Sequence, residues 1–146
     1  MRRVTDEFVL IIADRNKHVR EFLRRELMAE GYRIHVAKDD RELLRMIDGD
    51  DPPDLVILDL EIPFSGGLSI LEKLQGRASP LPVVIHSFLT EPMSGLNGKH
   101  TAAIVEKCEN TDFLKAAVED MLRRFYPHRF VLPRSRGPRE GAGTSS

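Results

Sequence analysis

Short, wholly apolar runs alternate along this chain with longer segments in which apolar residues return every three or four positions. That pattern predicts strands alternating with helices around a parallel sheet. The first run, Phe8 to Ile12, precedes a helical stretch whose Val19, Phe22, Leu23 and Leu27 fall on one face, and Gly31 supplies its stop. Tyr32 to Ala37 reads as the second strand, followed by a helix with Leu43, Leu44 and Ile47 on its buried stripe and Asp39 or Asp40 as its cap. After Asp50-Asp51-Pro52-Pro53, the run Leu55-Val56-Ile57-Leu58 is apolar throughout, as a central strand covered on both faces must be. Leu68, Leu71 and Leu74 predict the third helix, Pro82 to Ile85 the fourth strand and Ala102 to Val105 the fifth. Between the last two strands, Pro92, Gly95 and Gly98 predict a short, irregular or mobile fourth helix over Thr90 to His100. A strong apolar face of Phe113, Leu114, Ala117, Val118, Met121, Leu122 and Phe125 predicts the last helix, which Pro127 ends.

This reading divides the chain into an N-terminal extension over 1–6, one α/β domain over 7–126 and a flexible tail over 127–146. The tail is rich in Arg, Gly, Ser and Pro, although Phe130-Val131-Leu132 has the apolarity to dock locally. With 146 residues, of which 41% are hydrophobic, one core fits and two do not. The longest uninterrupted apolar run is the six residues Phe8 to Ala13, far short of the roughly 20 that a membrane span requires. No sustained apolar segment follows the basic residues at the start, so no secretory signal is read and a cytoplasmic location is expected. The single cysteine, Cys108, excludes an internal disulfide and a thiolate zinc cage. The formal charge of −1 divides into +3 on the last twenty residues and −4 on the rest, and an acidic body argues against direct binding of nucleic acid.

Open α/β sheets bind ligands beyond the carboxyl ends of their strands. The residues that follow the apolar runs are Asp14 after the first, Asp59 after the third, Ser87 after the fourth and Lys107 after the fifth. Two carboxylates suit Mg²⁺, a hard cation that prefers oxygen. An ammonium and a hydroxyl suit phosphoryl oxygens, and one carboxylate can serve as the nucleophile.

The segment Pro53-Asp54-Leu55-Val56-Ile57-Leu58-Asp59-Leu60-Glu61-Ile62-Pro63, followed by Ser65-Gly66-Gly67-Leu68, resembles the phosphoacceptor region of response-regulator receiver domains, the chemotaxis response regulator among them. The likeness covers roughly residues 7–126. It implies a flavodoxin-like (βα)5 sandwich with a five-stranded parallel sheet of order 2-1-3-4-5. It implies that Asp59 accepts a phosphoryl group from a histidine kinase or phosphotransfer protein in two-component signalling, and that Pro63 and Gly67 shape the loop beyond it. Asp14, Asp59 and the backbone carbonyl of Glu61 then hold Mg²⁺, Lys107 pairs with the acyl phosphate, and Ser87 is the switching hydroxyl. A phosphoacceptor of this kind is a switch rather than an enzyme, with slow self-dephosphorylation at most, acting on a downstream protein target. A homodimer stays open, and no DNA-binding or catalytic output domain is read after Pro127.

The chain also departs from the family pattern. One of two adjacent acids after the first strand is Ala13, which implies weaker metal binding; Cys108 replaces the proline after the lysine; and Ile104 stands where a switching aromatic is frequent. These departures keep a second reading alive, a pseudo-receiver that retains the fold as an interaction module without useful phosphorylation. A phosphohydrolase of another α/β family is disfavoured because Asp59-Leu60-Glu61 lacks a second aspartate two residues along. Each residue also admits a plainer role: Asp14 as an N-cap of the first helix, Glu61 as a solvated loop acid, His86 as a packed strand histidine, His18 and His35 as surface residues, and Cys108 as a passive thiol.

Overall fold

The computed structural model describes residues 8–88 and 102–130. Its elements run β1 (Val9–Ala13), α1 (Lys17–Met28), β2 (Arg33–Ala37), α2 (Asp40–Ile47), β3 (Leu55–Leu58), α3 (Gly67–Gln75), β4 (Val83–Ser87), β5 (Ala102–Glu106) and α4 (Asp112–Phe125). All strand pairs are parallel, in the order β2-β1-β3-β4-β5. The irregular helix expected over Thr90 to His100 lies outside the described residues.

Alternation along the central strands loads the two faces separately. Leu10, Ile12, Leu55, Ile57 and Val84 point to one face and pack with Leu23 and Leu27 of α1 and Leu114, Val118, Met121 and Leu122 of α4. Ile11, Ala13, Val56, Leu58, Val83 and Ile85 point to the other, against Leu43 and Ile47 of α2 and Ile70, Leu71 and Leu74 of α3. Two expected core residues are exposed instead. Leu68 sits in the first turn of α3, whose phase from Gly67 buries Ile70 in its place, and Phe113 opens α4 one position before its buried stripe starts at Leu114.

Pro127 does end the last helix, but the next residues do not leave the body, in contrast to the flexible tail expected from residue 127. Pro127–Phe130 form a single 3-10 turn. The reason is a half-buried acid at the amino end of β3: Asp54 accepts from the Val9 N–H (2.8 Å) and from Arg129 Nη1 (2.8 Å), while the Tyr126 hydroxyl donates to its carbonyl (2.7 Å). Arg129 lies 4.0 Å over the Phe8 ring, and Phe130 stacks on the same ring at 5.3 Å. Asp54→Ala would remove the acceptor shared by the Val9 N–H and Arg129 Nη1, so it is expected to lower stability by about 2 kcal/mol in urea denaturation. A loss under about 0.5 kcal/mol would show that the turn contributes little.

Candidate functional site

In a sheet of this order the connections leave β1 and β3 in opposite directions, which opens a crevice at their carboxyl ends. The register pairs Ala13 with Leu58, so the next residues, Asp14 and Asp59, emerge side by side. Both are buried, at 2% and 1% exposure. On the strand next to β3, Ser87 ends β4 opposite Glu106, and the Lys107 N–H donates to the Ser87 carbonyl at 3.0 Å. From there the Lys107 side chain reaches back over β4, placing Nζ 3.0 Å from Asp14 Oδ2 and 3.5 Å from Asp59 Oδ1. Ser87, the last residue of β4, is buried at the same edge, and the strand runs two residues beyond the predicted end at Ile85.

Backbone donors orient each carboxylate. Asp59 Oδ1 accepts from the Glu61 N–H (3.0 Å) and Oδ2 from the Arg15 N–H (3.3 Å). Asp14 Oδ1 accepts from the Asn16 N–H (2.8 Å). Asp14 is not the cap of α1, because Asn16 holds that place, its Oδ1 accepting from the Val19 N–H at 3.1 Å. Burial raises the Asp14 pKa, an effect the hydrogen bonds from Asn16 and Lys107 oppose.

The loop after Asp59 is held from three sides. The Ile62 N–H donates to the Asp59 carbonyl (3.1 Å), and the Gly67 N–H to the Leu60 carbonyl (2.9 Å). Asp40 Oδ2 accepts from the Ser65 N–H (2.7 Å), so Asp39 caps α2 and its neighbour anchors this loop. Phe64 takes a positive φ of 81° within the bend, with Arg41 4.1 Å over its ring.

The profile of the response regulator receiver domain matches residues 9–119. The chain belongs to the response regulator receiver family. Response regulator MprA of Mycolicibacterium vanbaalenii is 32% identical over 142 residues, which are 94% of this chain and 55% of that protein. The chain thus spans about half the length of that curated relative. Among solved structures, response regulator TrrA of Thermotoga maritima in complex with Mg²⁺-BeF is 30% identical with a TM-score of 0.70, covering 79% of this chain and 99% of that one. TrrA in complex with the histidine kinase ThkA gives 28% identity and a TM-score of 0.66 over 79% of this chain and 98% of that one.

The receiver therefore brings Asp14, Asp59 and Lys107 into contact and sets Ser87 on the same edge. Glu61 is exposed, its N–H turned to Asp59 and its carboxylate paired with Arg15. His86 is buried on β4, its Nδ1 has no hydrogen-bond partner among the described residues, and burial, reinforced by the Lys107 charge, pulls its pKa down to about 4. Cys108 is exposed and its thiol donates to the Asn110 carbonyl at 3.1 Å. Among the described residues no helix is long and apolar enough to cross a membrane.

Two residues of this neighbourhood were missed in the sequence. Arg15 directly follows a strand-end acid, and that adjacency to Asp14 is the one signal the sequence carried for it. Asp40 looked like a helix cap because its real partner, Ser65, is 25 positions away.

Proposed function

We propose that this receiver takes a phosphoryl group onto Asp59 from a histidine kinase or phosphotransfer protein, within a pathway read as cytoplasmic, and presents the changed surface to a downstream protein. The observation that carries the reading is the setting of Asp59: a buried carboxylate gripped by two backbone N–H groups, with one oxygen facing Lys107 and the other the Arg15 side of the crevice. In the transfer, an Asp59 oxygen attacks phosphorus, the bond from phosphorus to the donor's imidazole nitrogen breaks, and the nitrogen keeps the electron pair and is reprotonated. Lys107 balances charge on the acyl phosphate, and the Ser87 hydroxyl donates to a phosphoryl oxygen. That new hydrogen bond gives Ser87 a reason to prefer one position in the loaded state.

Mg²⁺ fits the residues present. Asp14 and Asp59 are hard oxygen donors whose carboxylates both converge on one ammonium, and among the described residues no third acidic, His or Cys side chain joins them. Two carboxylates suit a cation that keeps several waters. Asp14, Asp59 and the Glu61 carbonyl would hold it, and when bound it would neutralise charge on the transferring phosphoryl group. Slow loss of the phosphoryl group to water completes the cycle, which makes the chain a switch and no more than a sluggish catalyst of its own reset. The functional unit is the receiver body over 7–126 together with the turn to Phe130.

Incubation with acetyl phosphate and Mg²⁺ tests the reading. Intact mass should show one added phosphoryl group on the wild-type chain and none on Asp59→Asn. Labelling that persists in the variant, or none in either protein, would overturn the assignment; the latter result would favour the interaction module.

A further inference from the structure

Arg15 carries a charge at the mouth of the crevice that the proposed transfer has not used. Its Nε lies 3.6 Å from Asp59 Oδ2, and its Nη1 pairs with Glu61 Oε1. The guanidinium thus joins a buried acid to a solvent-facing one: its own side chain is 41% exposed and that of Glu61 59%. We propose that Arg15 is a resident cation of the phosphoryl site, competing with the divalent cation for Asp59 and turning to the phosphoryl oxygens once Asp59 is loaded. The inference rests on the phosphoacceptor reading above.

Charge balance supports it. With Ala13 at the end of β1, the buried acids in contact are Asp14 and Asp59, and Lys107 and Arg15 already offset their two charges. A divalent cation entering this crevice meets two fixed positive charges and gains less than it would beside uncompensated carboxylates. Phosphorylation reverses the balance by adding roughly −1.5 to −2. The planar guanidinium, with its forked donors, matches phosphoryl oxygens better than an ammonium does. Leaving Glu61 costs Arg15 little, since pairs this exposed are typically worth at most about 1 kcal/mol, a fivefold change.

The experiment compares Mg²⁺ affinity, by calorimetry at fixed ionic strength, in the wild-type chain, Arg15→Ala and Arg15→Lys. Beryllofluoride is then titrated into each at saturating Mg²⁺. Arg15→Ala should bind Mg²⁺ about fivefold more tightly and beryllofluoride about tenfold more weakly, with Arg15→Lys nearer the wild type in both. Effects of opposite sign cannot arise from a damaged fold. Unchanged or weaker Mg²⁺ binding in Arg15→Ala, or undiminished beryllofluoride binding, would overturn the proposal. A wild-type chain that binds Mg²⁺ but no beryllofluoride would overturn the phosphoacceptor reading and the loaded-state half with it, while the Mg²⁺ comparison decides the competing half alone.

Discussion

Gly67→Ala is expected to destabilise the receiver by about 3 kcal/mol, the upper range for forcing a methyl group into a filled site. A Cβ at Gly67 would stand 2.4 Å from Leu60 Cα, 2.8 Å from its carbonyl oxygen and 2.9 Å from its carbonyl carbon. All three are backbone atoms, so no rotamer change can make room. They also belong to the residue after Asp59, and the Gly67 N–H holds that same carbonyl. Relief of the clash must move α3 or the phosphoacceptor loop, and the rate of labelling by acetyl phosphate should fall together with stability. The adjacent Gly66 is a useful contrast. Its φ of +87° disfavours any side chain, yet a Cβ there would meet nothing within 4 Å, so Gly66→Ala should cost about 1 to 2 kcal/mol in backbone strain alone. Urea denaturation of both variants separates close approach from torsion. A Gly67→Ala variant no less stable than Gly66→Ala would show that the loop yields more readily than this packing implies.

The resemblance marked Gly67 as a loop-shaping residue, and the structure supplies the reason: the start of α3 crosses the backbone beyond Asp59 at a distance only glycine permits. What was legible elsewhere follows the same division between local and distant causes. β3 is continuously apolar because both of its faces are covered, and its predicted and observed bounds coincide at Leu55–Leu58. Asp59 and Asp14 were legible because a residue's place after a strand is a local property, and parallel register then sets such residues together. The ends of β4 were less so: Ser87 is polar yet still pairs in the strand, since backbone hydrogen bonding to β5 does not depend on side-chain polarity. Long-range partners left no local trace. Asp54 precedes a strand and gives no hint of Arg129, 75 positions away, so the turn at Pro127–Phe130 reads as tail composition until the acid beneath it is seen. Arg15 is the intermediate case, adjacent in sequence to one acid of the site but informative only once Asp59 and Glu61 are placed beside it.

His86 yields the second large effect, a dependence of stability on pH that a variant can isolate. The ring is 5% exposed on β4 beside Val105, and its Nδ1 is buried without a partner among the described residues. Burial is the main cause of its pKa near 4, the Lys107 charge adds to it, and the negative charge of Asp59 opposes it. In the unfolded chain the same ring should titrate near the ordinary value of about 6.5. Above that value neither state takes up the proton, and the folded form keeps its full stability. As pH falls from about 6.5 toward 4 the unfolded chain binds a proton that the native ring refuses, so stability declines, by about 3 kcal/mol over the window. Asp14 acts in the opposite direction, because its raised pKa lets the native state take up a proton more readily as pH falls. Asp40, Glu26 and Asp51, all with lowered pKa values, reduce stability as the medium becomes more acidic still. The difference between the wild-type chain and His86→Val removes these shared contributions. Valine continues the apolar run of β4 and has no proton to bind, so the variant's stability from urea denaturation should fall much less steeply between pH 6.5 and 4. Parallel pH profiles for the two proteins would show that the ring accepts its proton in the native state, through water or a partner, and is not the acid-sensitive element of the fold.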